Sequence, residues 1–433
     1  MQNIIVIFLI CDLLVTCVFP TLSRYTTPEM MNLQTIIKTG LYIILIYCWL
    51  VYRSLKQITL NTTSSNYFFL FFYFFIFLVG FFLYSVIIAS QSKGNLENYI
   101  LLFKLLGFPY VVITIIAFYE IKNMDWLNFL CKSIAFIGFF ASIIAIIQYI
   151  VGPSFIELTG MNTLVGNLHF SLHTAKLSDE SYAFRPFSLF QTHYDLTAFL
   201  TLSLMAISLL FTQNHIKKST YILLLFIGIA GLLTTHNVTA YILIIIYFSI
   251  IHKNNDSDIS FNKFNNKNFT LKVLQFGFLL IMFLLILFQT TFGDRVLTIF
   301  NNYQDSTLFY RILFMKNSIE AFFDKPYGWG WIYAVKGGYQ LPYWITSDNF
   351  YLWVTVFGGG VFVLLFFGLR TLPLIAARKL IKKNNEYRII WAWCMISMLC
   401  GLSNAFISNS GSSVFFYWFF LGFLLKMPLL KNN

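Results

Sequence analysis

Asp348 and Asn349 stand directly before a long apolar run in TSDNFYLWVTVFGGGVF. A carboxylate in that position either caps a helix, accepting bonds from its first N–H groups, or acts as a general base toward an attacking hydroxyl. Arg185, with Pro186 after it and His193 and Asp195 close behind, precedes a second such run in RPFSLFQTHYDLTAFL. Its guanidinium either snorkels toward lipid phosphate or holds an anion such as a pyrophosphate through paired donors. His193 and Asp195 either orient Arg185, touch a substrate or simply cap the apolar run. Arg311 offers the same chemistry as Arg185 from a third segment. Positions 307, 308, 314 and 315 hold no acid that could face it on a helix, while Lys316 and Glu320 are spaced to pair with each other. Trp329 and Trp331, in DKPYGWGWIY, carry rings suited to anchoring at a membrane surface or to stacking on a sugar.

The elements that must position these groups belong to a membrane. Of 433 residues, 58% are hydrophobic, 20% aromatic and only 11% charged, less than half the charged share of about a quarter found in soluble domains. Twelve candidate membrane-spanning helices follow, at 3–20, 33–51, 67–89, 99–118, 133–151, 192–212, 219–234, 237–251, 272–290, 348–368, 389–407 and 412–427. The expected fold class is an all-α polytopic membrane protein. The N-terminus has neither a basic stretch ahead of its apolar run nor a small-residue cleavage site, so it reads as a retained helix rather than a signal peptide. No appended soluble domain is expected.

Lys and Arg are retained on the cytoplasmic side of a membrane. With both termini cytoplasmic, Lys217, Lys218, Arg370, Arg378, Lys379, Lys382, Lys383 and Arg388 fall on inside segments, whereas the short outside connections hold only Arg24, Lys38 and Lys93. The net charge of +12 then reflects topology and attraction to anionic headgroups, and calls for no nucleic-acid partner. This topology divides the chain into helices 1–5 (residues 1–151), a long outer loop (152–191), helices 6–9 (192–290), a second long outer loop (291–347) and helices 10–12 (348–433). Two long loops on one face are where binding or catalysis is expected.

The second loop should contain an amphipathic helix. Asp305 and Ser306 suit its N-cap, Leu308, Ile312, Met315, Ile319 and Phe322 make one apolar stripe, and Pro326 ends it, with Gly328 and Gly330 turning the chain. The inside loop 252–271 reads as an Asn/Lys-rich connector. Asp12 and Lys104 lie within spans, where a charge marks either function or a structural pair. His169 and His173 lack a third ligand, and the six cysteines lack metal-ligand spacing, so no metal and no disulfide is expected.

Four stretches, in order and in spacing, resemble the bacterial family of O-antigen ligases and Wzy-type repeat-unit polymerases: RPFSLFQTHYDLTAFL, LLTTHNVTAYILI, YRILFMKNSIEAFFDKPYGWG and SDNFYLWVTVFGGGVF, covering roughly residues 184–365. The resemblance implies a GT-C-like glycosyltransferase of the bacterial inner membrane. Its substrates would be oligosaccharides linked to undecaprenyl pyrophosphate, joined on the periplasmic face without nucleotide sugar or other cofactor. It further implies that Arg185 and Arg311 hold the donor's pyrophosphate, whose charge grows as the glycosidic bond breaks. Ligases usually have His-Asn where this chain has Asp348-Asn349, and Ser-Arg where it has His236-Asn237. Both departures point to a polymerase, in which Asp348 would take the proton of the attacking sugar hydroxyl beside Asn349, with membrane lipids and a polysaccharide chain-length regulator as partners. A ligase that transfers polymer to the lipid A core is the alternative within the family. A flippase for the same lipid-linked oligosaccharide is the alternative from another class, though the internal repeats and short loops common in transporters are not evident.

Overall fold

The computed structural model describes residues 1–25, 30–55, 75, 79–80, 108–120, 125–159, 174–176, 182–190, 192–235, 237–252, 306–330, 343, 350–378, 381, 384–400 and 413–430. Helices dominate these residues. They are α1 (Gln2–Tyr25), α2 (Met30–Leu55), α3 (Phe108–Glu120), α4 (Asp125–Val151), the short α5 (Ser154–Leu158), α6 (His193–Thr212), α7 (Lys218–Thr234), α8 (Val238–His252), α9 (Ser306–Asp324), α10 (Phe350–Ala377), α11 (Asn385–Cys400) and α12 (Ser413–Leu430). Asn3–Thr21, Leu127–Val151, His193–Thr212 and Tyr351–Ala377 are long and apolar enough to cross a membrane, and Ile36–Tyr52, Lys218–Thr234 and Ser413–Leu425 are shorter apolar helices. The chain is a helical membrane protein. Ten of the twelve expected spans coincide with these helices in whole or in part, and those at 67–89 and 272–290 fall almost wholly outside the described residues.

Helix α6 is buried at every position from Asp195 to Leu210. A helix apolar on all sides must be surrounded, and α4, α7, α8, α11 and α12 all pack against it. Small residues permit close approach, because hydrophobic burial drives little association between helices in lipid. At Gly138 of α4 an added Cβ would lie 1.9 Å from Ser203 Oγ of α6. Around this centre α1 packs on α2 and α4, α3 on α12, α12 on α10, and α8 on α11.

Contacts between helix ends define two ends of the bundle. At one, Thr21 near the end of α1 donates to Leu189 O at 3.3 Å, just ahead of α6. At the other, Arg388 of α11 donates from Nε to Ile381 O at 3.1 Å, four residues past the end of α10, and from NH1 to Ile251 O at 3.4 Å, a carbonyl that the last turn of α8 leaves open.

Several expectations are corrected here. The residues of the first long loop include a two-stranded antiparallel pair, β1 (Thr174–Lys176) with β2 (Tyr182–Phe184), for which the sequence offered no signal. Three cations assigned to connecting segments lie within the helical bundle. Arg370 is fully buried because α10 continues to Ala377, and its guanidinium stands 4.2 Å from the Phe366 ring centroid, with Tyr417 and Trp418 beyond. Arg388 is buried by the capping just described, and Lys38 lies in α2, paired with Asp12 of α1 at 3.3 Å. That pair assigns Asp12, and Lys104 lies outside the described residues.

Candidate functional site at the Arg185 end of the bundle

The segment FRPFS is held by α4. Gln148 Oε1 accepts from the backbone N–H groups of Phe187 at 3.0 Å and Ser188 at 2.8 Å, and Ser188 Oγ donates to Ala141 O at 2.8 Å. Pro186 donates no N–H, so a side-chain acceptor in an otherwise apolar helix face meets the two donors that follow it. These bonds fix the backbone that carries Arg185.

The Arg185 side chain is directed by α6. Arg185 NH1 lies 3.2 Å from His193 Nε2. A guanidinium only donates, so His193 Nε2 accepts, the ring is neutral, and its proton is on Nδ1. With that lone pair turned to Arg185, His193 orients a cation and is not placed to act as a base. Thr192 caps α6: Asp195 N donates to Thr192 Oγ1 at 3.2 Å, and Thr192 Oγ1 donates to Asp195 Oδ2 at 2.9 Å. Asp195 is 7% exposed, and its Oδ1 has no hydrogen-bond partner among the described residues. His193 and Asp195 therefore both serve the start of α6, one by aiming Arg185 and the other within the cap.

The second element near this end is α9 with the turn that follows it. Arg311 belongs to α9, and Lys316 pairs with Glu320 at 3.7 Å as their spacing predicts. The stripe expected to bury α9 holds at Phe322 but not at its middle. Met315 and Ile319 are each 45% exposed, whereas Ser318 and Ala321 are buried against α10 and Phe322 contacts Gly360. Small residues let α9 approach α10 closely, so Ser318 and Ala321 mark its interface together with Phe322.

The turn Pro326–Gly330 docks its backbone against α10 while Tyr327 stays exposed. Helix α10 is interrupted at Gly359, with φ 79° and ψ 169°. Into this break the turn delivers its backbone: Trp329 N donates to Val356 O at 2.9 Å, Gly330 N to Phe357 O at 3.1 Å, and Pro326 O accepts from Gly360 N at 3.0 Å. The contact lies roughly 10 Å along the helix from Phe350, at 1.5 Å per residue. Trp329 is docked here, with Nε1 donating to Ala321 O at 2.8 Å and Lys325 Nζ 4.0 Å from its ring centroid. Tyr343 stands edge-on to it and donates to Asp324, which raises the phenol above its ordinary range.

The structure thus joins Arg185, His193 and Asp195 into one cluster and places Trp329 in the break of α10. Asp348, Asn349, Trp331 and His236 lie outside the described residues. Sequence reasoning missed Gln148, whose signal was a lone amide in FIGFFASIIAIIQYIV, and Lys38 as the partner of Asp12. No protein-family model matches this chain, and no curated protein matches its sequence.

Proposed function

We propose that this protein is a glycosyltransferase of the bacterial inner membrane that joins oligosaccharide repeat units carried on undecaprenyl pyrophosphate, as an O-antigen or related surface-polysaccharide polymerase. In this reading it crosses the membrane twelve times with both termini cytoplasmic, and residues 152–191 and 291–347 face the periplasm. One observation carries the proposal. Arg185, a group suited to a pyrophosphate, is fixed at one end of a buried helix by an aimed hydrogen bond from its side chain and by a loop pinned to α4. Preorganised cations of this kind stabilise charge that develops on a leaving group. The four-motif resemblance supplies the substrate class.

In the reaction, a hydroxyl of the acceptor sugar attacks the anomeric carbon of the donor unit. The carbon–oxygen bond to phosphate breaks with inversion, and its electron pair leaves on undecaprenyl pyrophosphate, held by Arg185 and Arg311. The hydroxyl proton passes to Asp348, with Asn349 and the Trp329 and Trp331 rings beside the sugars.

Purified protein in lipid, given the lipid-linked repeat unit, should make polymer and release undecaprenyl pyrophosphate, and Asp348→Asn should abolish this at unchanged protein level. In cells, loss of the gene should leave surface lipid capped with a single repeat unit. Polymer left on its carrier would instead indicate a ligase, and repeat units trapped on the cytoplasmic side a flippase, and either result overturns the proposal.

A further inference from the structure

Helix α9 is apolar on two sides. On one, Ser318 and Ala321 are buried and Phe322 meets Gly360 of α10. On the other, Met315, Ile319 and Phe323 recur every four residues, and Phe323 keeps 72% of its surface. A third side is charged and open: Lys316 pairs there with Glu320, and Asp324 ends the helix with Lys325 after it, both exposed. Exposed apolar residues beside a charged stripe are the pattern of a helix that lies in a membrane surface. The neighbouring α10 sets the level of that surface. Its 28 residues extend about 42 Å at 1.5 Å per residue, more than the ~30 Å of a hydrocarbon core. No residue from Tyr351 to Gly360 is exposed, whereas Val361, Leu364, Phe367 and Ile375 form an outward stripe that ends at the exposed cation Arg378. In a helix that crosses a membrane such a stripe faces lipid. The two apolar stripes are continuous. The Phe323 ring lies 5.6 Å from that of Phe322, and Phe322 stands against Gly360, next to Val361.

We propose that the exposed apolar stripe of α9 is a lipid-binding surface, with Met315, Ile319 and Phe323 set into the acyl-chain boundary and Lys316, Glu320, Asp324 and Lys325 left among headgroups and water. The break in α10 then marks the edge of the hydrocarbon. About 20 residues cross a hydrocarbon core, and positions 359–378 of α10 and its end supply that length. The α9 end and its turn meet α10 at Val356, Phe357 and Gly360, on that edge. Held by α10 on one side and by lipid on the next, α9 cannot roll about its axis. The inference needs only that the chain crosses a membrane, and it stands whether or not Arg311 of the same helix meets a pyrophosphate.

Spin labels read the surface residue by residue. Single cysteines at Met315, Ile319, Phe323, Lys316 and Glu320, each in the full-length, otherwise cysteine-free protein, are labelled with a nitroxide and reconstituted into phosphatidylethanolamine–phosphatidylglycerol vesicles. Labels at 315, 319 and 323 should collide more with oxygen, which concentrates in lipid, than with a water-soluble nickel chelate, and labels at 316 and 320 should show the opposite order. Greater collision with the chelate at 319 and 323 would overturn the proposal, because the stripe would then lie in water and be open to a soluble partner. Labels there that are immobilised and reached by neither reagent would overturn it too, since protein, such as a second copy of the chain, would cover the stripe. The unsubstituted protein gives a second measurement should a cysteine variant fail to fold. A phospholipid with a photoactivatable diazirine on its acyl chain should leave adducts on the α9 segment carrying Ile319 and Phe323 as well as on the α10 segment carrying Leu364. Adducts on α10 without any on α9 would overturn the proposal. None of these readouts depends on polymer formation, so a failure of the function reading leaves this test intact.

Discussion

At the scale of single residues, the cluster depends on polar side chains that each meet a buried backbone or side-chain group. Gln148 is the clearest case, since one amide oxygen serves two N–H groups of the Arg185 segment. Replacing it with Leu leaves two buried donors unmet, at about 1–3 kcal/mol each, and releases the loop from α4. Gln148→Leu should therefore lower the melting temperature in detergent and weaken activity beyond that loss, because Arg185 is no longer fixed. Gln148→Glu, which retains an acceptor oxygen, should be the milder change, and equal melting of Gln148→Leu and the parent would sink the assignment. The buried Asp12–Lys38 pair follows the same logic: removal of one partner strands the other, at about 3–5 kcal/mol. Neither partnership could be read from the chain, because Gln148 lies 39 and 40 residues from its donors and Lys38 reaches Asp12 across two helices. A polar residue in an apolar run announces that it has a partner, and only the packing says which.

Among the elements, helix existence was legible and helix contact was not. Apolar length located α6, α7, α8 and α12 within a few residues, because a backbone in lipid must bond to itself and so forms helices wherever the run is long enough. Amphipathic spacing misled in the middle of α9, since Ser318 and Ala321 join Phe322 on the side that packs on α10, and the large apolar residues Met315, Ile319 and Phe323 stay outside. The crossing of the Pro326–Gly330 turn with the break in α10 was equally hidden, although both glycine clusters stood in the sequence. Its demands are strict. Gly328 and Gly359 have φ of 94° and 79°, and a Cβ at either would lie within 2.6 Å of the other segment's backbone. Gly328→Ala or Gly359→Ala should each cost more than about 3 kcal/mol, from left-handed backbone and collision together. Gly360→Ala is the internal control, because its Cβ would meet the Phe322 ring at 3.5 Å and Pro326 O at 4.0 Å, both ordinary contacts. Melting curves in detergent that show all three variants equally stable would contradict the interlocked turn.

For the whole molecule, the contacts between helix ends and the charge pattern bear on one question, the side on which the Arg185 cluster lies. Thr21, Leu189 and the start of α6 share one end of the bundle, and Ile251, Ile381 and Arg388 share the other. Moving Lys38, Arg370 and Arg388 into the bundle removes them from the loop count, since a cation satisfied inside protein reports nothing about sidedness. The remaining bias rests on exposed connections such as Lys217 and Lys218, which precede and open α7, and it keeps its sign. The Arg185 end should therefore be periplasmic, as a reaction on flipped, lipid-linked sugars requires. All six native cysteines are free, so a cysteine-free background can carry single reporters. Tyr327→Cys, at a position 81% exposed beside the α10 break, should react with a membrane-impermeant maleimide in intact spheroplasts. Asn214→Cys, in the turn between α6 and α7, should react only after the membrane is opened. Labelling in the reverse order would place Arg185 in the cytoplasm, where no flipped donor could reach it, and would remove the polymerase reading together with its topology.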